Sequence, residues 1–129
     1  MLTILIVLVL VAHGIGHSIG VAGGWGNNAW GGSGESRLLT PTLGRSTAVL
    51  EGLIWLIPAI GFVAAGGALL AGMDAWALAL GSSVVSLLAI ALFPQQLPAF
   101  STIAAAAVDV AVIVGLLVLE WPSVDALGA

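Results

Sequence analysis

The 129-residue chain is 60% hydrophobic and 6% charged, with a mean hydropathy of +1.23 and a formal net charge of −4. Soluble domains carry about 25% charged residues, so this chain has too few polar side chains to cover a surface exposed to water. The absence of cysteine and lysine excludes disulfides, thiolate metal sites and a retinal Schiff base, and two basic residues are too few for a nucleic-acid-binding patch.

Four apolar segments are long enough to cross a membrane as helices. The hydrocarbon core is about 30 Å thick and requires about 20 mostly apolar residues, and backbone polar groups in lipid must be paired within a helix. The sequence therefore predicts an all-α integral membrane protein, a four-helix transmembrane up-down bundle in a single domain over residues 1–129. Its predicted parts are helices over about 2–22, 46–71, 76–93 and 99–121 and a polar linker over 23–45.

The connections between the predicted helices differ in length. Residues 72–75 join the second and third helices, and residues 94–98 join the third and fourth. Such short connections leave no room for a crossover, so each pair is expected to be antiparallel neighbours. The linker over 23–45 is the long polar connection, and two interpretations stay open: a solvated interfacial loop, or a lid over a site between the helices.

The distribution of charge predicts an orientation in the cell membrane. Both basic residues, Arg37 and Arg45, lie in the linker, whereas acidic residues flank the helix ends on the side of the termini. By the positive-inside rule, the linker is expected to be cytoplasmic and both termini outside. Tryptophans at the helix ends on both sides predict an aromatic belt; they are Trp25, Trp30, Trp76 and Trp121.

Four polar side chains lie inside the apolar segments, where a charge at a helix centre costs about 2.5–3.5 kcal/mol. They are His13 and His17 in the first segment, Glu51 in the second and Asp109 in the fourth. Counted inward from the linker side at the helical rise, His17 and Glu51 lie about 7–8 Å deep, and His13 and Asp109 about 14–15 Å deep. We therefore expect His17 to face Glu51 and His13 to face Asp109.

Small residues accompany the histidines. His13 and His17 share a helix face with Gly16, Gly20 and Gly24, and small residues four apart allow close approach of helices in membranes. The histidines are therefore expected on a packed side of the first helix. The third helix adds three serines to the interior: Ser82, Ser83 and Ser86.

The composition also bears on surroundings and partners. The lipid bilayer is the expected environment, and the glycine- and alanine-rich faces are suited to a membrane-protein partner or to a homo-oligomer. An acidic, lysine-free chain rich in alanine, glycine and valine resembles the style of membrane proteins of halophilic archaea. That resemblance is one of composition and implies nothing about activity.

A metal site is the most specific chemical interpretation. Two imidazoles at four-residue spacing, together with Glu51 and Asp109, form a two-histidine, two-carboxylate set for a divalent metal ion. The zinc-protease helix motif has a glutamate after its first histidine, where this chain has Gly14, so protease activity is disfavoured. Two histidines one turn apart cannot reach opposite faces of one porphyrin, which argues against a bis-histidine haem in a monomer.

Other functions stay open at this stage. Buried histidine and carboxylate groups also mark sites for a proton or a small polar ligand, including sites in transport proteins. A non-catalytic accessory subunit of a larger membrane complex would use the same residues only to hold its helices in register. A membrane-embedded enzyme acting on a lipid or isoprenoid headgroup is the third alternative, so the sequence leaves open whether the chain is an enzyme.

Overall fold

The computed structural model describes residues 1–25 and 35–123, and this part of the chain is helical, with no β-strand. The long helices begin and end within two residues of the predicted ranges, except that the last one ends four residues early. A four-residue helix lies within the predicted linker, where no element was expected. The five helices are α1 (Leu2–Gly24), α2 (Thr40–Leu43), α3 (Ser46–Leu70), α4 (Trp76–Leu92) and α5 (Ala99–Leu117).

Three helices, α1, α3 and α5, are long and apolar enough to cross a membrane. Each has a stretch of mean hydropathy 2.2. The fourth predicted span, α4, is equally apolar but has 17 residues and rises about 26 Å, somewhat less than the hydrocarbon core. By length and composition, the helices indicate a membrane protein.

Helices α1 and α3 pack together through glycines. The backbone of Gly24 lies against that of Gly52, and Gly20 lies against the indole ring of Trp55. Residue numbers that rise along α1 are matched by numbers that fall along α3, so the two helices are antiparallel. Among the described residues, no atom of a neighbouring element lies within 4 Å of a Cβ placed at Gly16, so the expectation that Gly16 shares the packed face is wrong.

A tight turn reverses the chain between α3 and α4. Gly72 has a φ of 67°, a left-handed conformation that glycine adopts without a steric penalty. The Met73 N–H then donates to the carbonyl of Ala68 at 2.8 Å and closes the end of α3. The carboxylate of Asp74 accepts a bond from the Trp76 N–H at 2.9 Å and caps the start of α4. These local bonds make the two helices antiparallel neighbours.

The described part of the linker folds around a buried serine. The Ser36 N–H donates to Thr40 Oγ1 at 2.9 Å, and Ser36 Oγ accepts a bond from the Leu39 N–H at 3.3 Å. Helix α2 contacts α3, whereas Arg37 and Arg45 are exposed. Residues 35–45 are therefore a folded segment rather than a fully solvated loop. The rest of the predicted lid, together with Trp30, lies outside the described residues.

The larger of two apolar cores lies toward the end of the fold where α1 begins and α3 ends, and the smaller one, of Trp55, Ala89 and Leu97, lies toward the linker end. Elsewhere, large apolar side chains face outward, and Phe100 and Ile103 of α5 are 83% and 70% exposed. An apolar outer surface of this extent suits lipid. The residues of the larger core come from α1, α3, α4 and the turn before α4; they are Val7, Leu10, Phe62, Ala65, Leu69, Ala75 and Ala79.

Candidate functional site

The four predicted site residues all lie inside the protein. His17, Glu51 and Asp109 are no more than 1% exposed, and the side chain of His13 is 9% exposed. Asp109 is the one buried residue of α5, whose other side chains are partly or fully exposed. The side chains that do not suit lipid are therefore directed away from it.

Three of the four residues converge. A ligand atom from each of His13, His17 and Asp109 lies within 4.8 Å of the other two. His13 Nε2 is 2.9 Å from Asp109 Oδ1, and the Nε2 atoms of the two histidines are 3.3 Å apart. The expected contact between His13 and Asp109 is present, and it joins α1 to α5.

Ser86 of α4 completes this cluster. Its hydroxyl donates to Asp109 Oδ2 at 2.5 Å, and its oxygen lies 3.1 Å from His17 Nε2. The sequence placed three serines in the interior but did not assign one of them to the site. The available signal was a serine on the apolar helix α4 together with an aspartate in the neighbouring apolar segment. The cluster thus joins residues of α1, α4 and α5.

The hydrogen-bond geometry of the cluster favours one tautomer of each histidine. Asp109 accepts one bond from His13 Nε2–H and one from the Ser86 hydroxyl. Because the Ser86 proton is used in that bond, Ser86 Oγ accepts from His17 Nε2–H. With this assignment, both histidines carry a proton on Nε2 and the two Nε2 atoms are in contact at 3.3 Å, whereas the other tautomer of His17 would make this pair a hydrogen bond.

Aromatic rings enclose the histidines. The His13 ring packs edge-on against Phe62 at 4.6 Å between centroids, and the His17 ring stacks on Phe62 at 5.8 Å. Trp55 approaches His17 at 5.4 Å. These rings lower the local polarity beside the histidines, which strengthens electrostatic interactions inside the cluster.

Glu51 is buried but stands apart from the cluster. Because Gly24 packs against Gly52, Glu51 is level with the end of α1, and His17 lies about 10 Å further along the helix. His17 Nε2 is already engaged, and its Nδ1 has no hydrogen-bond partner among residues 1–25 and 35–123. The expected pairing of His17 with Glu51 is therefore absent from this arrangement.

Beyond the cluster, the seam between α1 and α5 opens into an apolar cavity of about 290 Å³. Val9 and Leu10 on one side and Val108 and Val112 on the other place its inner end one turn from His13 and Asp109. Its lining has almost no polar atoms. Between α1 and α5, the surroundings of the polar cluster on this side are thus apolar.

The fold and the cluster define a helical protein with three helices that are long and apolar enough to span a membrane, and with a buried histidine and aspartate site between them. Comparison of the chain with protein-family models, with curated proteins and with solved structures gives no match. The case for a function therefore depends on the geometry of the site.

Proposed function

We propose that the chain is a small polytopic membrane protein, a four-helix up-down transmembrane bundle, that binds a divalent transition-metal ion through His13, His17 and Asp109. Helix α4 counts as a span in this proposal because 17 residues is the lower end of the range that crosses a bilayer. The convergence of two imidazole nitrogens and a carboxylate oxygen within 4.8 Å carries the proposal.

The separation of the two imidazole nitrogens supports a metal site. Zn–N bonds of 2.0–2.1 Å in a tetrahedral site place neighbouring ligand nitrogens about 3.3–3.4 Å apart. The Nε2 atoms of His13 and His17 are 3.3 Å apart, which matches this spacing. Binding would then require the two protons to leave Nε2, with little movement of the rings.

The type of ligand favours a transition metal over calcium or magnesium. Imidazole suits Zn, Fe, Ni and Cu, whereas Ca²⁺ and Mg²⁺ are bound by sets of oxygen ligands, and the cluster offers Asp109 as its carboxylate. Three protein ligands leave a fourth position for water or a small molecule, as in catalytic zinc sites. Ser86 would hold the carboxylate in place from the second shell.

Binding is favoured over conduction through a single chain. On the side of the termini, the cluster is followed by the buried apolar side chains of Leu10 and Phe62 and the rest of the core. Among the described residues, an ion crossing that half would meet only two buried polar side chains, Ser82 and Ser83 of α4, and no buried carboxylate or imidazole. We therefore propose a binding site without a complete path across the chain.

The second candidate is a structural role, as in an accessory subunit of a membrane complex. It is favoured by the hydrogen-bond network itself, because Asp109 accepts two bonds and both Nε2–H groups have an acceptor without any ion. Such a network would hold α1, α4 and α5 in register.

Metal titration of the purified chain separates these two candidates. Zn²⁺ is titrated against a chromophoric chelator in detergent, and Co²⁺ is added to report coordination through its visible absorption. Binding of one equivalent, with the intense absorption of four-coordinate Co²⁺, is the expected result. The Ser83→Ala variant is the control, since Ser83 lies one turn from Ser86 and makes no hydrogen bond to any of the three ligands. If the chain binds neither ion, the proposed metal site is wrong and the structural role is the remaining candidate.

The Ser86→Ala variant is expected to bind Zn²⁺ about 10–100-fold more weakly than the wild type. The hydroxyl donates to Asp109 Oδ2, so its loss frees the carboxylate to rotate away from the two imidazoles. The same chelator competition measures the change. An affinity equal to that of Ser83→Ala would show that Ser86 does not position the ligand.

The proposed topology places residues 23–45 in the cytoplasm and both termini outside the cell membrane. Arg37 and Arg45 are exposed in the linker, and cytoplasmic segments are enriched in arginine and lysine. Reporter domains fused to the N-terminus, and in parallel inserted after Arg37, are expected to give external and cytoplasmic signals respectively. Reversed signals would overturn this orientation but not the site.

A further inference from the structure

A row of buried polar side chains extends along α3 from its first turn toward the metal cluster. Thr47, Glu51 and Trp55 are spaced four residues apart and are 1%, 0% and 0% exposed. Residues at this spacing lie one above another on a helix face, about 6 Å apart along the axis. The Trp55 ring then lies 5.4 Å from that of His17. The row therefore begins at the linker end of α3 and ends at a proposed ligand.

Several polar atoms along this row have no hydrogen-bond partner in the described part of the chain. They are Thr47 Oγ1, Trp55 Nε1 and His17 Nδ1, each in a side chain that is at least 99% buried. Buried polar atoms in proteins are normally paired, with protein groups or with ordered water. Water molecules that accompany a cation need hydrogen-bond partners inside the protein, and unpaired donors and acceptors placed one after another along one helix face supply them.

On the opposite side of the cluster, the described residues contribute two buried serines of α4, Ser82 and Ser83, and otherwise apolar side chains. Phe62 packs against both histidine rings, and the apolar core continues beyond it toward the termini. A cation reaching His17 from that side would have to shed its water against hydrocarbon, which is far more costly than passing polar side chains. Access from the linker side is therefore the favoured route.

We infer that Thr47, Glu51 and Trp55 line an entry path by which a divalent cation reaches His13, His17 and Asp109 from the linker side. The inference rests on the proposed metal site and assigns a role to the buried carboxylate that the cluster does not include. Glu51 attracts the cation at the entrance, Thr47 and Trp55 bond its accompanying water, and His17 receives it. Glu51 thus sets the rate of entry without being a ligand of the bound ion.

Rapid-mixing kinetics tests the path separately from the site. Zn²⁺ association and dissociation rates are measured in detergent for wild type, Thr47→Val and Glu51→Gln, with Ser82→Ala as the control. Ser82 is buried against Gly61, away from the row. Charged clefts raise association rates by about 10–10³-fold. Glu51→Gln is therefore expected to slow Zn²⁺ association and Zn²⁺ dissociation by about tenfold or more each. Its equilibrium affinity is expected to stay within about threefold of the wild type, because the three ligands are unchanged. Helix content by circular dichroism identifies any variant that fails to fold. The near-isosteric Thr47→Val is a second test of the path, and slower Zn²⁺ association is expected for it as well.

Each remaining outcome counts against the path in a distinct way. Association rates equal to those of Ser82→Ala would overturn the path and leave the metal site intact. Weaker equilibrium binding by Glu51→Gln, with an unchanged association rate, would make Glu51 part of the site itself. A wild-type chain that takes up no Zn²⁺ would overturn the proposed function and the path together.

Discussion

The Asp109→Asn variant is expected to bind Zn²⁺ at least about 100-fold more weakly than the wild type, with unchanged helix content. Loss of a second-shell partner alone costs about 10–100-fold in metal affinity, and Asp109 is a proposed direct ligand that supplies the negative charge of the cluster. Asparagine has nearly the same shape, and the Ser86 hydroxyl can turn to accept a bond from the new amide. The fold is therefore expected to persist without the ligand.

Chelator competition in detergent measures this affinity, and circular dichroism of the same samples monitors helix content. The matched control is Asp74→Asn, which neutralises an exposed carboxylate at the start of α4, far from the cluster along that helix. Wild-type affinity in Asp109→Asn would remove Asp109 from the proposed ligand set. Equal losses in both variants would show that overall charge, not the site, controls uptake of the ion.

The contact between His13 and Asp109 could be predicted from depth alone, whereas the partner of His17 could not. The linker-side ends of α1 and α5 lie close to the predicted ends of their apolar segments. Counting residues inward from those ends therefore places His13 and Asp109 at comparable depths. Helix α3 begins beyond the end of α1, because the close approach of Gly24 to Gly52 fixes the register. That contact depends on the three-dimensional packing and leaves Glu51 too far out to meet His17.

Sequence spacing identified a helix face but not the helix that would cover it. His17 and Gly20 are buried on α1 as expected, but Gly14 is buried as well and Gly16 is exposed. Helix α3 covers α1 from one side and α5 meets it at His13, so the packed arc is rotated from the one drawn through the small residues. Residue spacing does not specify which side of a helix its neighbours cover. For the same reason, spacing could not identify Ser86, among the three serines of α4, as the one that faces the cluster.

Hydropathy predicted where the long helices lie but misjudged the end of the last one. Residues 118–121 are mostly apolar, so the predicted span ran to Trp121. In the structure α5 ends at Leu117, and the Trp121 N–H donates to the carbonyl of Gly115 at 2.9 Å in a turn. Hydropathy does not distinguish an apolar turn from the apolar end of a helix. Helix α2 was missed because four residues are too short for periodicity to register.

The Gly24→Leu variant is expected to lower the free energy of unfolding by about 1–3 kcal/mol or more. A Cβ at position 24 would lie 2.5 Å from the backbone nitrogen and 2.8 Å from the Cα of Gly52. Backbone atoms cannot rotate away, so α1 and α3 would have to separate along their whole contact. Unfolding by sodium dodecyl sulfate in mixed micelles, followed by circular dichroism, measures the difference.

The matched control is Gly16→Leu, the same substitution on the same helix. Nothing lies within 4 Å of a Cβ at Gly16, so its free energy of unfolding is expected to stay within about 0.5 kcal/mol of the wild type. Because the rings of Trp55 and Phe62 contact the histidines from α3, a separation of the helices would also loosen the cluster. Gly24→Leu is therefore expected to weaken Zn²⁺ binding while Gly16→Leu leaves it unchanged. Equal stability of the two variants would mean that the close approach of Gly24 to Gly52 does not hold α1 against α3.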